Sequence, residues 1–146
     1  MENNRVSYKK LQVGNDSEFY ELVLLFNKVF ESTNTVNTEN IYRLLKNPRF
    51  VCFAAFINHE IVGGITAYEL EMYDQPGSAL YIYDLAVCKA HQRNGIGSRL
   101  VKEILDYCKS KGIQDVFVQA EEADQHAVQF YRKVGGESFK TYHFNL

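Results

Sequence analysis

Apolar positions along the chain follow two rhythms, and the switches between them predict its elements. Phe19, Leu22, Val23, Phe26, Val29 and Phe30 recur at three- and four-residue intervals, the spacing of one helix face. Gly14-Asn15-Asp16-Ser17 ahead of them is a turn whose last residues can cap that helix. After a polar loop at 32–37, Ile41, Leu44 and Leu45 give a second, short helix, with Thr38 as its cap. It must stop by Asn47, because Pro48 disfavours helical backbone in the residue before it. The longest stripe is Ile96, Leu100, Val101, Ile104, Leu105 and Cys108, with Arg99, Lys102, Glu103 and Lys109 off it and a stop at Lys111-Gly112. Ala127, Val128, Phe130, Tyr131 and Val134 predict a last helix ended by Gly135-Gly136.

The remaining apolar runs are too short for helices and carry the residues of strands. Residues 6–12 read as a first strand, and 50–57 and 61–72 as a hairpin around Asn58-His59-Glu60. Gly63-Gly64 inside the second run marks a bend or a close backbone approach. A turn at 73–78, with Pro76-Gly77, leads to a strand at 79–88. Its continuous apolar character predicts a strand covered on both faces, hence central. Residues 115–120 follow a helix and so should run parallel to 79–88. Residues 137–145 close the chain as a strand. The order β-α-α-β-β-β-α-β-α-β predicts one α/β (α+β) domain over residues 1–146, without linker, repeat or low-complexity segment.

Composition narrows the function without naming it. A chain of 146 residues with 46% hydrophobic and 23% charged side chains can bury a real core. A net charge of −2 gives no global pull toward nucleic acid or a membrane surface. Cys52, Cys88 and Cys108 are odd in number and far apart, which fits a reducing compartment better than a disulfide framework. Met1-Glu2-Asn3-Asn4-Arg5 has no apolar signal core and no run approaches membrane-spanning length, so a cytoplasmic protein is expected. His59, His91, His126 and His143 lie apart, and no metal site is expected.

Chemistry concentrates in three places. Gln92-Arg93-Asn94-Gly95-Ile96-Gly97 stands between a strand and a helix start. Unpaired N–H groups and partial positive charge at a helix N-terminus, with glycines removing nearby Cβ atoms, make a seat for phosphate. The stretch is neither a Walker loop nor a dinucleotide fingerprint, and the same spacing serves a tightly packed strand-to-helix turn. Arg93 and His91 can touch a phosphate or lie in solvent. Asp84 is an acid inside the apolar run Ile82-Tyr83-Asp84-Leu85-Ala86. A carboxylate there either faces a cleft and meets a cation, or is satisfied by a neighbouring donor. Finally, residues 67–88 hold Glu69, Glu71, Asp74 and Asp84, and residues 112–131 hold Asp115, Glu121, Glu122 and Asp124, with no Lys or Arg in either stretch. Both lead to one end of the predicted sheet, so they read as an acidic lining for a small polycation, or as solvated loop charges. The meander strands and the aromatic segment 139–144 are able to pair across a homodimer.

Gln92-x-x-Gly95-x-Gly97 resembles the Gln/Arg-x-x-Gly-x-Gly/Ala signature of the GNAT family of acetyl-coenzyme A-dependent N-acetyltransferases. A second block of that family, Asn-x-x-Ala-x-x-Phe/Leu-Tyr, is similar to Asp124-x-x-Ala127-x-x-Phe130-Tyr131, with Asp in place of Asn. Tyr81-Ile82-Tyr83-Asp84-Leu85-Ala86-Val87 and Val118-Gln119-Ala120 look like the aminoglycoside 3-N-acetyltransferase (gentamicin acetyltransferase) branch. The resemblance implies a mixed, mostly antiparallel sheet of six to seven strands with about four helices, its central parallel strands splayed around the cofactor. It implies acetyl-coenzyme A as co-substrate. Its pyrophosphate would be held by backbone amides of Gln92, Arg93, Asn94, Gly95, Ile96, Gly97 and Ser98. The pantetheine arm would run beside Leu85, Ala86 and Val87, with Asp124, Ala127, Phe130 and Tyr131 on its far side. Asp84 would hold the substrate ammonium, either only binding it or also taking its proton directly or through water, and Tyr131 would protonate the leaving thiolate or simply pack beside it. Glu69, Tyr83, Asp84, Glu121, Glu122 and Asp124 would line the substrate. The implied reaction is acetyl transfer to an amine of an aminoglycoside, the 3-amino group, conferring resistance. Polyamine or protein-amine acetylation, and coenzyme A binding without turnover, are the alternatives.

Overall fold

The computed structural model describes residues 4–146; residues 1–3, part of the segment without a signal core, lie outside the described residues. Strands β1 (Ser7–Lys10), β2 (Phe50–Ile57), β3 (Glu60–Glu71), β4 (Ser78–Val87) and β5 (Asp115–Val118) lie side by side in that order. The first four pair antiparallel, and β5 runs parallel to β4, as the helix between them requires. Helices α1 (Asp16–Val29) and α2 (Thr38–Lys46) join β1 to β2, α3 (Ile96–Lys111) crosses from β4 to β5, and α4 (Gln125–Lys133) follows β5.

Strand alternation sorts the core into two layers. Val51, Phe53, Ala55, Ile65, Ala67, Leu80 and Ile82 meet the α3 stripe of Ile96, Leu100, Val101, Ile104 and Cys108 on one face. Phe50, Cys52, Ala54 and Ala86 meet Phe19, Leu22 and Phe26 of α1 and Ile41 and Leu45 of α2 on the other. The double glycine in β3 is a close approach: a Cβ on Gly64 would fall inside the Leu22 side chain, and one on Gly63 would stand 2.9 Å from the Ala86 carbonyl oxygen. No helix among the described residues is long and apolar enough to cross a membrane.

Several sequence expectations are corrected. The sheet has five strands among the described residues, not six to seven, because residues 137–145 form no strand. The middle strand is β3; β4 is interior but next to the short edge strand β5. The cap of α2 is Asn37, whose side chain accepts from the Asn40 N–H at 3.1 Å, rather than Thr38. No side chain caps α1, where Asn15 instead accepts from the Gln12 N–H. Asn58 and His59 alone, both at positive φ, form the first hairpin loop, and Glu60 already belongs to β3.

Candidate active site

The site begins with an irregularity in β4. Thr66 of β3 stands opposite Asp84, yet the next residue, Ala67, stands opposite Ile82. Tyr83 is therefore an extra residue, a β-bulge, and it shifts the alternation of the strand. Leu80 and Ile82 face α3, and so do Leu85 and Val87; Tyr81, Asp84 and Ala86 share the opposite face. A bulge re-aims side chains and bends its strand. Here it sits where β5 ends its pairing, since β5 meets β4 only from Ala79 to Ile82.

Beyond that point β4 has one neighbouring strand among the described residues. The Asp84 N–H donates to Thr66 Oγ1 at 3.2 Å and the Cys88 N–H to the Val62 carbonyl at 2.8 Å, so even-numbered residues turn toward β3. Alternation turns the N–H and C=O groups of Leu85 and Val87 the other way, into the gap left by β5. The Val87 carbonyl accepts from Gln92 Nε2 at 2.9 Å, which tethers the following turn to the strand end. An extended amide-bearing chain lying in that gap would complete the sheet as a substitute strand.

Asp84 is half-buried at the bulge, and desolvation raises its pKa above the ordinary carboxylate value. Around it runs a connected set of aromatic rings. Tyr68 and Tyr83 meet edge-on at 5.5 Å, Tyr83 and Tyr81 edge-on at 6.2 Å, and Tyr81 stacks on Phe117 at 5.0 Å. The Tyr81 hydroxyl donates to Gln119 Oε1 at 3.1 Å. Burial raises the Tyr68 pKa, and the nearby Tyr83 and Asp84 raise it further. A carboxylate with aromatic faces beside it is a cation site twice over, by charge and by ring quadrupole.

The two glycines of the turn do different work. Gly95 is the residue before α3 and sits at φ 78°, the left-handed region where a side chain is strained, and it gives α3 no side-chain cap. Gly97 has ordinary φ, but a Cβ there would stand 3.2 Å from the Phe130 ring of α4. Thus Gly95 shapes the turn and leaves the first N–H groups of α3 unpaired, whereas Gly97 admits α4. Arg93 is also at positive φ, and Gln92, Arg93, Asn94 and Gly95 are exposed. The tight-packing reading of this turn holds at Gly97, and Gly95 leaves the start of α3 without a side-chain cap.

Helix α4 brings the acid. Asp124 caps it, its Oδ1 accepting from the Ala127 N–H at 3.0 Å. Phe130 and Tyr131 follow on its inner side, their rings edge-on at 5.1 Å. Burial, then the charges of Asp84 and Asp124, push the Tyr131 hydroxyl up to about 12. Tyr131 therefore keeps its proton and faces the same carboxylate that the bulge presents.

The sequence profile of the acetyltransferase (GNAT) family matches residues 17–136. The chain belongs to the GNAT acetyltransferase family. Over its whole length it is 34% identical to the aminoglycoside acetyltransferase meta-AAC0020 from an uncultured soil metagenomic sample, whose crystal structures hold trehalose or sisomicin. The match covers 99% of that chain with a TM-score of 0.90. AAC(6')-Iy, held with the bisubstrate analogue CoA-S-monomethyl-acetylneamine, shares the fold at 11% identity and a TM-score of 0.83 over 97% of each chain. Human N-alpha-acetyltransferase 30 is 32% identical over 85 residues, 58% of this chain. The chain spans about a quarter of that curated relative's length, matching 23% of it.

The GNAT family uses acetyl-coenzyme A, and the open edge of β4 beside the uncapped start of α3 fits an elongated chain ending in phosphates. The departure at the second GNAT block has a physical reading, because Asp and Asn cap a helix equally well. The structure brings together Tyr83, Asp84, Leu85, Asp124 and Tyr131. It separates Glu69, which lies on the α3 face beside Ala67, where its charge is felt by Tyr107 and Cys108. Glu121 and Glu122 are exposed in the loop after β5, and Glu71 pairs with Arg49. Thr66, Tyr68 and Phe117 had escaped the sequence reading, and Tyr81 and Gln119 had entered it only within motifs, with no role of their own. Thr66 is the one buried polar residue among the described residues, and a lone Thr in an apolar strand was the available signal.

Proposed function

We propose that this GNAT acetyltransferase moves the acetyl group of acetyl-coenzyme A directly to an amine of an aminoglycoside, at the 3-amino group, and that it confers resistance. The observation that carries the reading is Asp84: a carboxylate of raised pKa, set in an aromatic wall, beside an unpaired strand edge and a protonated tyrosine. The likeness to an aminoglycoside acetyltransferase at 34% identity supports the substrate class.

Asp84 binds the ammonium and receives its proton, freeing the lone pair that attacks. One backbone N–H at the strand end from Leu85 to Val87 donates to the thioester carbonyl oxygen as it gains charge. Tyr131 Oη gives its proton to the departing sulfur and regains one as the acetylated nitrogen sheds its second proton, while Asp84 returns the first to solvent. The amides of Gln92, Arg93, Asn94, Gly95, Ile96, Gly97 and Ser98 bind the pyrophosphate, and Phe130 and Ala127 close the far side of the pantetheine arm. Tyr83 covers the substrate, and Glu121, Glu122 and Asp124 draw in its remaining ammonium groups. Acetylation removes one positive charge, and with it a contact to an anionic RNA target.

A second reading, acetylation of a protein N-terminal amine, draws on the 85-residue match to N-alpha-acetyltransferase 30. A coenzyme A release assay with sisomicin, gentamicin, spermine and a short peptide separates the two. Turnover with the aminoglycosides, and a product acetylated at the 3-amino group by NMR, is expected, together with raised antibiotic tolerance in cells expressing the protein. Preference for the peptide overturns the aminoglycoside assignment. Coenzyme A binding without release by any amine overturns catalysis.

A further inference from the structure

A row of aromatic rings runs out of the core and onto the surface beside Asp84. On this face of the sheet α1 and α2 pack against β2, β3 and Ala86, and Phe50 of β2 meets Tyr68 of β3 at 5.3 Å between ring centres. Tyr83, Tyr81 and Phe117 continue the row across β4 to β5, outside that core, with Tyr81 and Phe117 opposite one another in register. Tyr83 is 60% exposed and Phe117 39%. The row is fixed all the same. Each ring touches the next, and the Tyr81 hydroxyl is held by Gln119. A contiguous exposed apolar surface of this kind marks a place with an occupant. From β3 to β5 it is about 10 Å across at the ordinary strand spacing, wide enough for two six-membered rings side by side.

We propose that Tyr83, Tyr81 and Phe117 form a platform for the C–H face of a saturated ring of the amine substrate while Asp84 takes that ring's ammonium, so that the enzyme selects cyclic amines over linear polyamines. This rests on the reading of Asp84 as the ammonium site. Charge decides what the wall fits. Asp84 stands on the same face as Tyr81, next to Tyr83, and its charge is felt by Tyr68. A protein partner sealing the wall would bury that carboxylate, which is costly unless a cation arrives with it. A ring that carries an ammonium brings the cation and the apolar face together. Its C–H bonds are polarised positive by the neighbouring ammonium, and the faces of aromatic rings are negative. A linear polyamine meets Asp84 by charge equally well. It offers no flat face, however, and loses more rotational freedom when laid on a rigid wall.

Calorimetry of the full chain saturated with coenzyme A, titrated with sisomicin and with spermine, tests this, weak binding of spermine being read by its displacement of sisomicin. Wild type should bind sisomicin more tightly than spermine. Tyr83→Leu and Phe117→Ala should each weaken sisomicin by about tenfold, as for one lost aromatic contact to a charged ring, and leave spermine within about twofold. Tyr83→Phe should keep the wild-type affinity, because the ring and not the hydroxyl makes the contact, whereas Asp84→Asn should weaken both ligands. Saturation-transfer NMR should show the ring C–H protons of sisomicin in contact with wild type, and the effect should fade in Phe117→Ala. Equal losses for the two ligands, or no loss, overturn the platform and leave the role of Asp84 standing. A wild type that binds neither ligand, or an Asp84→Asn variant that binds both undiminished, overturns the ammonium site and the platform with it. A wild-type dimer that dissociates on Phe117→Ala while sisomicin affinity holds assigns the wall to a second copy and overturns the proposal.

Discussion

Strand β4 is two strands in one. From Ser78 to Ile82 it has neighbours on both sides, and its residues are largely buried. From Tyr83 to Val87 it has β3 alone, an extra residue, a half-buried acid and backbone groups aimed at an empty edge. The first half maximises pairing and apolar contact, which is how a strand stabilises a fold. The second half forgoes both. What separates them is one inserted residue and the four-residue length of β5. Stability and chemistry are thereby placed on a single continuous segment, so each can be perturbed from the other's side.

The sharpest break in this contrast is Asp84→Asn. Turnover should fall by about 10²–10⁴-fold, the usual worth of a positioned base, while coenzyme A binding by calorimetry stays unchanged. The wild-type rate should rise with pH through a value above the ordinary Asp pKa of about 3.9, and the variant should lose that limb. Stability should move oppositely. A carboxyl whose pKa is raised in the folded state binds more protons folded than unfolded, so its contribution falls as pH rises. Asp84→Asn should therefore melt higher than wild type at neutral pH, and this gain should vanish on acidification below the unfolded value.

Tyr131→Phe comes next, with kcat lowered by about 10–10²-fold and the KM for acetyl-coenzyme A little changed. Because the hydroxyl is held up to about 12, wild type should show no falling limb from its ionisation while the protein stays folded. Gly97→Ala should cost about 1–3 kcal/mol through overpacking against Phe130 and raise the KM for the donor. Combining it with Phe130→Leu should recover part of that loss, a coupling that a double-mutant cycle measures. The smallest effect expected is from Thr66→Val, which removes the acceptor of the Asp84 N–H and should cost about 1 kcal/mol in denaturant unfolding.

Periodicity carried most of the fold. The two helix faces and the β2–β3 hairpin are local patterns, and the parallel placement of β5 follows from connectivity alone. What the chain's own pattern concealed was register. The bulge at Tyr83 lies in an unbroken apolar run, so nothing local marks Tyr83 as the surplus residue, and the faces of Glu69 and Asp84 were read as one. Asp84 was legible because an acid in such a run is costly. Thr66, Tyr68, Tyr81 and Phe117 were not, because they become a wall only when three strands align. The strand expected at 137–145 has the right alternation and lacks a partner among the described residues, which no periodicity can supply.

Asp124 shows what can hide inside a permitted substitution. For holding the first turn of α4, Asn would serve as well. Only the carboxylate adds its charge to the forces that keep the Tyr131 proton in place. Whichever of the two amino acids occupies this position leaves the helix intact and sets how firmly the Tyr131 hydroxyl, two turns further on, holds its proton, so drift that is silent for folding still retunes that hydroxyl.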